Sequence, residues 1–160
     1  MNTVLLIIFF LMVQEPRLNV TSPDFEHEGE IPSKFTCDGE DINPAFQIDG
    51  IPSRAKSIVV MMEDPDSRSS TMNYWLLWNV KPTGIIEAAT TAGVKGTNSM
   101  GKTSYLGPCP NAGTHRYFFK VYALDTMLEI PEDSNKWTVQ KAMEDHVLAS
   151  GELMGWYRRK

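Results

Sequence analysis

The sequence predicts a mainly β domain that carries one helix near its C-terminal end. Three observations support this fold class: short apolar or alternating runs, frequent turn residues between them, and a single stretch with helical periodicity. The sequence shows no strand–helix alternation of the kind that builds a parallel sheet. A chain of 160 residues suits one domain, which is long enough to bury its own hydrophobic core.

The predicted strands are short runs of β-branched, aromatic and aliphatic residues. Turn pairs such as Asp-Gly and Gly-Pro separate them, because these residues favour the backbone angles of tight turns. The predicted strand ranges are 18–20, 45–48, 57–63, 74–80 and 116–123.

The segment 134–148 has helical rather than strand periodicity. Its apolar residues recur three or four positions apart, as they would on one face of a helix. They are Val139, Ala142, Met143 and Val147. Gly151 is predicted to stop this helix, and residues 152–157 are predicted to form a last strand or extended segment.

Composition and charge exclude several classes of protein. Hydrophobic residues make up 42% of the chain and charged residues 22%, which is ordinary for a globular domain and unlike a disordered adaptor. The net charge of -5 argues against nucleic acid as a partner, because a phosphate backbone rewards clustered Lys and Arg. The three histidines are scattered and form no metal-binding pair. We therefore predict neither a metal nor a cofactor.

The N-terminal segment, residues 1–15, is predicted to be distinct from the folded domain of residues 16–160. It contains an unbroken apolar run at 4–13, which is too short for a bilayer span but has the length of a signal-peptide core. We therefore expect the protein to be exported, to the periplasm or the outside of the cell, or anchored to a membrane. No basic residue precedes the run and no small-x-small cleavage site follows it, so a buried or swapped N-terminal strand, in a cytoplasmic protein, is the alternative.

The two cysteines, Cys37 and Cys109, fit neither a zinc site nor a redox C-x-x-C motif. In an exported protein they could form a disulfide that ties the Cys37 loop to the Cys109 loop. In a cytosolic protein they would stay reduced. Both states remain open from the sequence, because a disulfide requires a Cα separation that the sequence does not give.

A Pro/Gly loop followed by an aromatic strand gives the clearest sign of a binding site. Residues 107–113 contain two prolines and two glycines, which should hold a defined shape. Side chains alternate along a strand, so His115 and Tyr117 share one face and Arg116 takes the other. We expect the loop and the strand to form one wall of a small-ligand pocket. The His and Tyr pair could bind an anion, act as acid and base, or hydrogen-bond to each other.

The acidic turn at 63–68 closes the strongest predicted strand, so its carboxylates lie where binding residues often occur. A glycosidase would need two carboxylates at a defined separation, which residues two apart around a proline rarely supply. The alternative is structural: the acids cap the turn and pair with Arg68 or Arg116.

Two motifs of enzymes occur but lack their usual context. Residues 96–103 match the P-loop expression, yet Pro108 and Pro110 follow closely and prevent the helix that a P-loop requires. We interpret this segment as a turn. Cys109 with His115 would suggest a thiol nucleophile, but Cys109 lies between prolines rather than at a helix N-terminus that would activate it.

Several blocks along the chain, taken together, resemble the phosphatidylethanolamine-binding protein family, specifically its bacterial and archaeal Raf kinase inhibitor-like branch. The similarity runs from about Leu18 to the C-terminus. The blocks that carry it are residues 31–44, Glu63-Asp-Pro-Asp66, Tyr74-Trp-Leu-Leu-Trp-Asn79, Asn98-Ser-Met-Gly101, 107–122, 142–149 and Glu152-Leu-Met-Gly155.

The resemblance implies an antiparallel β-sandwich with a C-terminal α-helix. It also implies a shallow pocket that binds phosphate or other small anions, including phospholipid head groups. Family members inhibit kinases or proteases, and bacterial relatives suggest a homodimer. Matched to the family's motifs, the implied ligand-binding residues are Asp64, Asp66, Gly107, Pro108, Pro110, His115 and Tyr117.

Three positions depart from the family pattern. Tyr74 replaces a pocket histidine, Ser67-Arg68 replaces Ala-Pro after the acidic pair, and Asn111 replaces a loop proline. Tyr74 can donate one hydrogen bond to a phosphate oxygen and so stays among the predicted ligand-binding residues, but it cannot become cationic near neutral pH as histidine can. We hypothesise that Arg68 compensates for the lost histidine.

The sequence therefore predicts non-enzymatic binding of a small anionic or phosphorylated ligand, with regulation of a partner protein such as a kinase or protease. Asp64 is expected to orient His115. The alternative function is a hydrolase, an esterase or phosphatase, in which Asp64 and His115 act together as a base.

Overall fold

The mainly β fold is confirmed by a computed structural model, which describes residues 16–68 and 70–159. Nine strands form two sheets in this part of the chain, with one short α-helix and one 3-10 helix at Ser33–Phe35. The elements in chain order are β1 (Asn19–Thr21), β2 (Gly29–Glu30), β3 (Phe46–Asp49), β4 (Ser57–Asp64), β5 (Met72–Val80), β6 (Ile85–Ile86), β7 (Val94–Lys95), β8 (Thr114–Leu124), α1 (Lys136–Met143) and β9 (Val147–Arg158).

The larger sheet has the strand order β2-β9-β8-β4-β5-β7, and the smaller sheet has the order β1-β3-β6. All pairings are antiparallel except that of β2 with β9. The four long strands β9, β8, β4 and β5 are consecutive neighbours and form the frame of the molecule.

Strand β4 is buried along its whole length, which explains its continuous apolar sequence. Ile58, Val60 and Met62 point into the core between the two sheets. Val59 and Met61 point to the other face, where they pack with residues of α1. An antiparallel strand usually exposes one face to water, so the double cover by the small sheet and by α1 accounts for the missing alternation.

The core between the sheets is built on aromatic side chains. Phe46 of the small sheet lies 5.0 Å from Phe119 and 6.4 Å from Trp75 of the large sheet, measured between ring centroids. All three residues are fully buried. This packing makes the fold a β-sandwich.

The predicted helix is too long and its predicted stop is wrong. Helix α1 begins after Asn135, whose side chain accepts a hydrogen bond from the Thr138 N–H, and it ends at Met143. The chain from residue 147 onward pairs with β8 instead, so Val147 belongs to β9. Pairing along the whole of β8 satisfies many backbone groups at once and overrides the local helical pattern.

Gly151, predicted as the helix stop, lies inside β9. A Cβ atom at this position would come within 2.3 Å of the Leu18 carbonyl oxygen. We expect Gly151→Ala to lower the free energy of unfolding by about 1–3 kcal/mol, because the backbone at Leu18 would have to move away from β9. Urea denaturation would measure the loss, and a stability equal to wild type would show that this contact is loose.

The other strand predictions agree with the structure to within a few residues. The predicted ranges 18–20, 45–48, 57–63, 74–80 and 116–123 overlap β1, β3, β4, β5 and β8, and 152–157 lies within β9. Strands β2, β6 and β7 were missed, because two residues carry no periodicity. The predictions for the N-terminal segment fall on residues 1–15, outside the described part. Within the described part, no helix is both long and apolar enough to cross a membrane.

Candidate ligand-binding site

The ends of three long strands meet at one end of the large sheet. Because β4 is antiparallel to both β5 and β8, its last residues lie beside the first residues of both neighbours. The loop that leads into β8 lies beside these strand ends, and a cavity of about 290 Å³ remains between them. Its walls are formed by Asp64, Ser67, Arg68, Met72, Tyr74, Cys109, Pro110, Asn111, Ala112 and His115.

Three larger depressions, of about 420–490 Å³, occur elsewhere on the described surface. None of them is lined by a buried charged side chain. The smaller cavity differs because Asp64 in its wall is fully buried. A buried carboxylate is costly unless it is hydrogen-bonded, so its surroundings indicate what this site is built to hold.

Asp64 holds the imidazole of His115 in one orientation. Its Oδ2 lies 2.8 Å from His115 Nδ1, and its Oδ1 accepts the Asp66 N–H at 2.8 Å. An ionised carboxylate only accepts hydrogen bonds, so Nδ1 carries the proton. Nε2 then has no partner among residues 16–68 and 70–159, and the ring lines the cavity. His115 therefore offers Nε2 to a ligand.

Two tyrosines continue the wall behind His115. The Tyr117 ring stacks on His115 at 6.5 Å, and Tyr74 meets Tyr117 edge-on at 5.5 Å. Burial raises the pKa of Tyr117, and the nearby Tyr74 and Asp64 raise it further. Burial and Asp64 likewise raise the pKa of Tyr74. Both hydroxyls therefore keep their protons and remain hydrogen-bond donors at any physiological pH.

The Tyr117 hydroxyl is buried without a hydrogen-bond partner in the described chain. The Tyr74 hydroxyl and the Cys109 backbone are polar neighbours, but neither meets it with hydrogen-bond geometry. An unsatisfied buried hydroxyl costs about 1–3 kcal/mol. The unpaired Tyr117 hydroxyl is explained if a ligand or a water molecule forms a hydrogen bond with it.

Asp66 is not part of the cavity wall. Its carboxylate accepts hydrogen bonds from Arg116 Nε at 2.9 Å and NH2 at 2.6 Å, and from the Arg116 backbone N–H at 2.9 Å. Arg116 lowers the pKa of Asp66 to about 2, so the pair stays ionised. Its pairing with Arg116 is the arrangement that the sequence offered as an alternative, and Arg116 points away from the face of His115 and Tyr117.

The loop before β8 is fastened to the segment that contains Cys37. Cys37 and Cys109 form a disulfide with their Cα atoms 5.4 Å apart. The Cys37 N–H donates to the Pro108 carbonyl at 3.2 Å, and the Gly107 N–H donates to Asp41 Oδ1 at 2.5 Å. Gly107 and Pro108 therefore act as a scaffold outside the cavity.

Only the second half of the loop reaches the ligand space. Pro110 and Asn111 line the cavity, as does Cys109. Of the residues predicted to bind a ligand, the structure brings Asp64, Tyr74, Pro110 and His115 to the cavity, and Tyr117 lies directly behind them.

Sequence reasoning missed Met72 and Ala112 as parts of the wall. Met72 precedes Tyr74 by two positions in β5, so the alternation of side chains along a strand was the signal that could have found it. The P-loop match forms a turn instead of a phosphate cradle: Asn98 Oδ1 accepts the N–H groups of Met100 and Lys102. No group of three or more potential metal ligands occurs among the described residues.

Comparisons with known proteins identify the family with which this chain shares its sequence and fold. A family model described as phosphatidylethanolamine-binding protein matches residues 21–158. A UPF0098 protein of Methanothermobacter thermautotrophicus is 43% identical over 150 residues, which cover 89% of this chain and 99% of the relative. A UPF0098 protein of Chlamydia muridarum is 37% identical over 149 residues, with the same coverage of both chains. Relatives thus occur in archaea and in bacteria.

Two solved structures share the fold. The phosphatidylethanolamine-binding protein homologue CT736 of Chlamydia trachomatis has a TM-score of 0.87 and 33% identity, and the match covers 91% of this chain and 99% of CT736. YbcL of Escherichia coli, a member of the mammalian PEBP family, has a TM-score of 0.79 and 28% identity, with 90% and 99% covered. The chain therefore belongs to the phosphatidylethanolamine-binding protein family.

Proposed function

We propose that this protein binds a small anionic ligand, of the phosphate or phospholipid head-group type, without turning it over. Family membership supports a ligand-binding protein with this fold. The observation that carries the proposal is the imidazole of His115, fixed through Nδ1 by a buried carboxylate and unpartnered at Nε2 in the described chain. Protonated Nε2–H is a charge-assisted donor to an anion.

The donors around His115 suit an anion. Tyr74 and Tyr117 keep their hydroxyl protons, as their raised pKa values show. Asp64 belongs to the cavity wall, but its two oxygens accept hydrogen bonds from His115 Nδ1 and the Asp66 N–H, so its charge favours the imidazolium form of His115. At about 290 Å³ the cavity lies at the small end of ligand sites, which fits a head group better than a whole lipid.

For an anion whose own charge is constant, such as sulfate, affinity is expected to fall as pH rises. Binding favours the imidazolium form of His115, and histidine is the side chain that changes charge near neutral pH. The charged and titratable groups around it are Asp64, Asp66, Tyr74, Tyr117 and Arg68, and Asp66 is itself paired with Arg116. Of these, the tyrosines stay neutral and the arginine stays cationic over this range. Calorimetry with sulfate, whose own charge is constant over this range, in two buffers with different heats of ionisation would detect proton uptake on binding, and binding with no proton uptake at any pH would contradict this role.

The decisive experiment is a titration of wild type and two histidine variants with phosphate and phosphoethanolamine, followed by NMR. His115→Gln should abolish saturable shifts. His146→Gln is the matched control, because His146 also pairs with a carboxylate, Asp125, at 2.8 Å but is about half exposed. We expect it to bind like wild type. Absence of binding by the wild-type protein at millimolar ligand would sink the proposal.

Tyr117→Phe separates the binding role from a structural one. Removing an unsatisfied hydroxyl should leave stability unchanged or raise it by up to about 1 kcal/mol. If the hydroxyl meets the ligand, phosphate affinity should fall by about threefold to tenfold. Thermal unfolding and calorimetry measure the two effects, and a clear loss of stability would instead reveal a structural partner for this group.

The hydrogen bond between Asp64 and His115 also suits a general base, so a hydrolase is the second candidate. A serine, Ser67, lies in the same wall, whereas Cys109 is held in a disulfide. Release of phosphate or alcohol from generic ester substrates, lost in His115→Gln but kept in His146→Gln, would favour the enzyme. Binding without turnover would favour the ligand-binding function.

A further inference from the structure

Two arginines lie close to the site, and they differ in what holds them. Arg116 is engaged by Asp66 through both its side chain and its backbone. Arg68, in the turn after β4, lines the cavity and forms no ion pair or side-chain hydrogen bond with any residue of 16–68 and 70–159. One cation is thus neutralised beside the cavity, while another is left available within its wall.

The charges that a ligand would meet follow from this difference. His115 can offer one positive charge, but Asp64 balances it at 2.8 Å. The guanidinium of Arg68 adds a positive charge that no carboxylate of the described chain balances within 4.0 Å. Two cationic side chains thus line the cavity, but only the charge of Arg68 is left unbalanced, so the number of donors rather than the net charge decides which ligand fits.

The kinds of donor in the wall indicate the type of ligand. An arginine presents a planar fork that binds two oxygens of one phosphate, and His115 Nε2 offers a third donor. A phosphomonoester has three unesterified oxygens and two negative charges near neutral pH. A phosphodiester has two such oxygens and one charge.

We infer that Arg68 makes this cavity selective for a phosphomonoester dianion over a phosphodiester. The inference rests on the proposed function, because it specifies the ligand class of the same cavity. The phosphomonoester could be a free metabolite or the exposed end of a larger molecule, and inorganic phosphate carries the same charge. All of these present the same terminal dianion.

A matched pair of ligands tests the selectivity. Phosphoethanolamine is a monoester, and glycerophosphoethanolamine carries the same amine on a diester. We expect wild type to bind the monoester at least tenfold more tightly by calorimetry at pH 7.5. Arg68→Gln should weaken monoester binding about tenfold and diester binding by less than about twofold. Arg68→Lys keeps the charge but not the fork and should fall between wild type and Arg68→Gln. Inorganic phosphate, measured in parallel, shows whether the ester group itself contributes.

Arg54→Gln is the charge-matched control. Arg54 is exposed and precedes the first residue of β4, whereas Asp64 is its last residue, so the two arginines lie at opposite ends of this strand. Its removal should leave both affinities unchanged. Equal affinity of wild type for the two ligands, or an equal effect of Arg68→Gln on both, would overturn the inference while the proposed function stands. Binding of neither ligand by wild type would overturn both.

Discussion

Reduction of the Cys37–Cys109 disulfide is expected to lower the free energy of unfolding by about 4 kcal/mol. The bridge joins residues 72 positions apart, so it removes a large amount of conformational freedom from the unfolded chain. The native contacts around it should persist, because the Gly107 N–H bond to Asp41 and the Tyr105 hydroxyl bond to the Phe35 carbonyl do not depend on the sulfur atoms. The protein should therefore still fold when reduced, but at a lower denaturant midpoint.

Urea unfolding with and without dithiothreitol measures this effect. The Cys37→Ser/Cys109→Ser double variant is the control, because its stability should match that of the reduced protein and should not respond to dithiothreitol. If the oxidised and reduced forms unfold at the same urea concentration, the bridge contributes nothing. Cys109 lines the cavity, so a phosphate titration of the oxidised and reduced protein would show whether ligand binding depends on the bridge.

Glu63→Gln is expected to cost about 2–3 kcal/mol of stability. The Glu63 carboxylate is 6% exposed and lies between Lys120, at 2.7 Å, and Lys136. Lys120 belongs to β8 and Lys136 opens α1, so this one side chain joins the helix to the centre of the large sheet. Both lysines are about one-third exposed and can return to water, which keeps the cost below that of a fully buried pair.

The loss should depend on pH. Burial acts to raise the pKa of Glu63, but its hydrogen bonds and charge interactions with Lys120 and Lys136 outweigh burial and lower that pKa. A carboxylate with a lowered folded-state pKa stabilises the fold above the unfolded-state pKa, about 4.3, and loses this contribution as the pH falls further. The stability gap between wild type and Glu63→Gln should therefore be full at pH 7 and shrink below pH 4.

Glu144→Gln is the matched control for this effect. Glu144, the residue that follows α1, pairs with Lys141 of this helix, but both side chains are 63% exposed. An exposed pair of this kind contributes little, so the variant should unfold within about 0.5 kcal/mol of wild type. A gap for Glu63→Gln that stays constant from pH 7 to pH 3 would show that the charge of Glu63 is not what stabilises the fold.

The strands that were predicted well are those whose sequence alone requires burial. The run 57–63 is apolar at nearly every position, and β4 is buried on both faces. The helix boundary failed because Val147 fits a helical face and a strand equally well, and pairing with β8 decided between them. Local periodicity contains no information about a partner strand that lies more than twenty positions earlier in the chain.

The site shows the same division. The Pro/Gly loop and the His115–Tyr117 face could be predicted, because both follow from local backbone rules. The pairing of Asp64 with His115 joins residues 51 positions apart and depends on the register of β4 against β8. Sequence spacing could not decide whether Asp64 or Asp66 faces the cavity. The turn sends Asp66 to Arg116 and leaves Asp64 buried.

The position of β9 in the large sheet has a consequence for how the chain is made. Strand β9 is the last strand along the described chain, yet it lies between β2 and β8, and β8 pairs with it over its whole length. During synthesis, residues up to about 146 leave the ribosome while β8 still has one open edge. An unpaired edge of this length can associate with other chains. The nascent protein should therefore need protection from aggregation until residues 147–158 have emerged and taken their place.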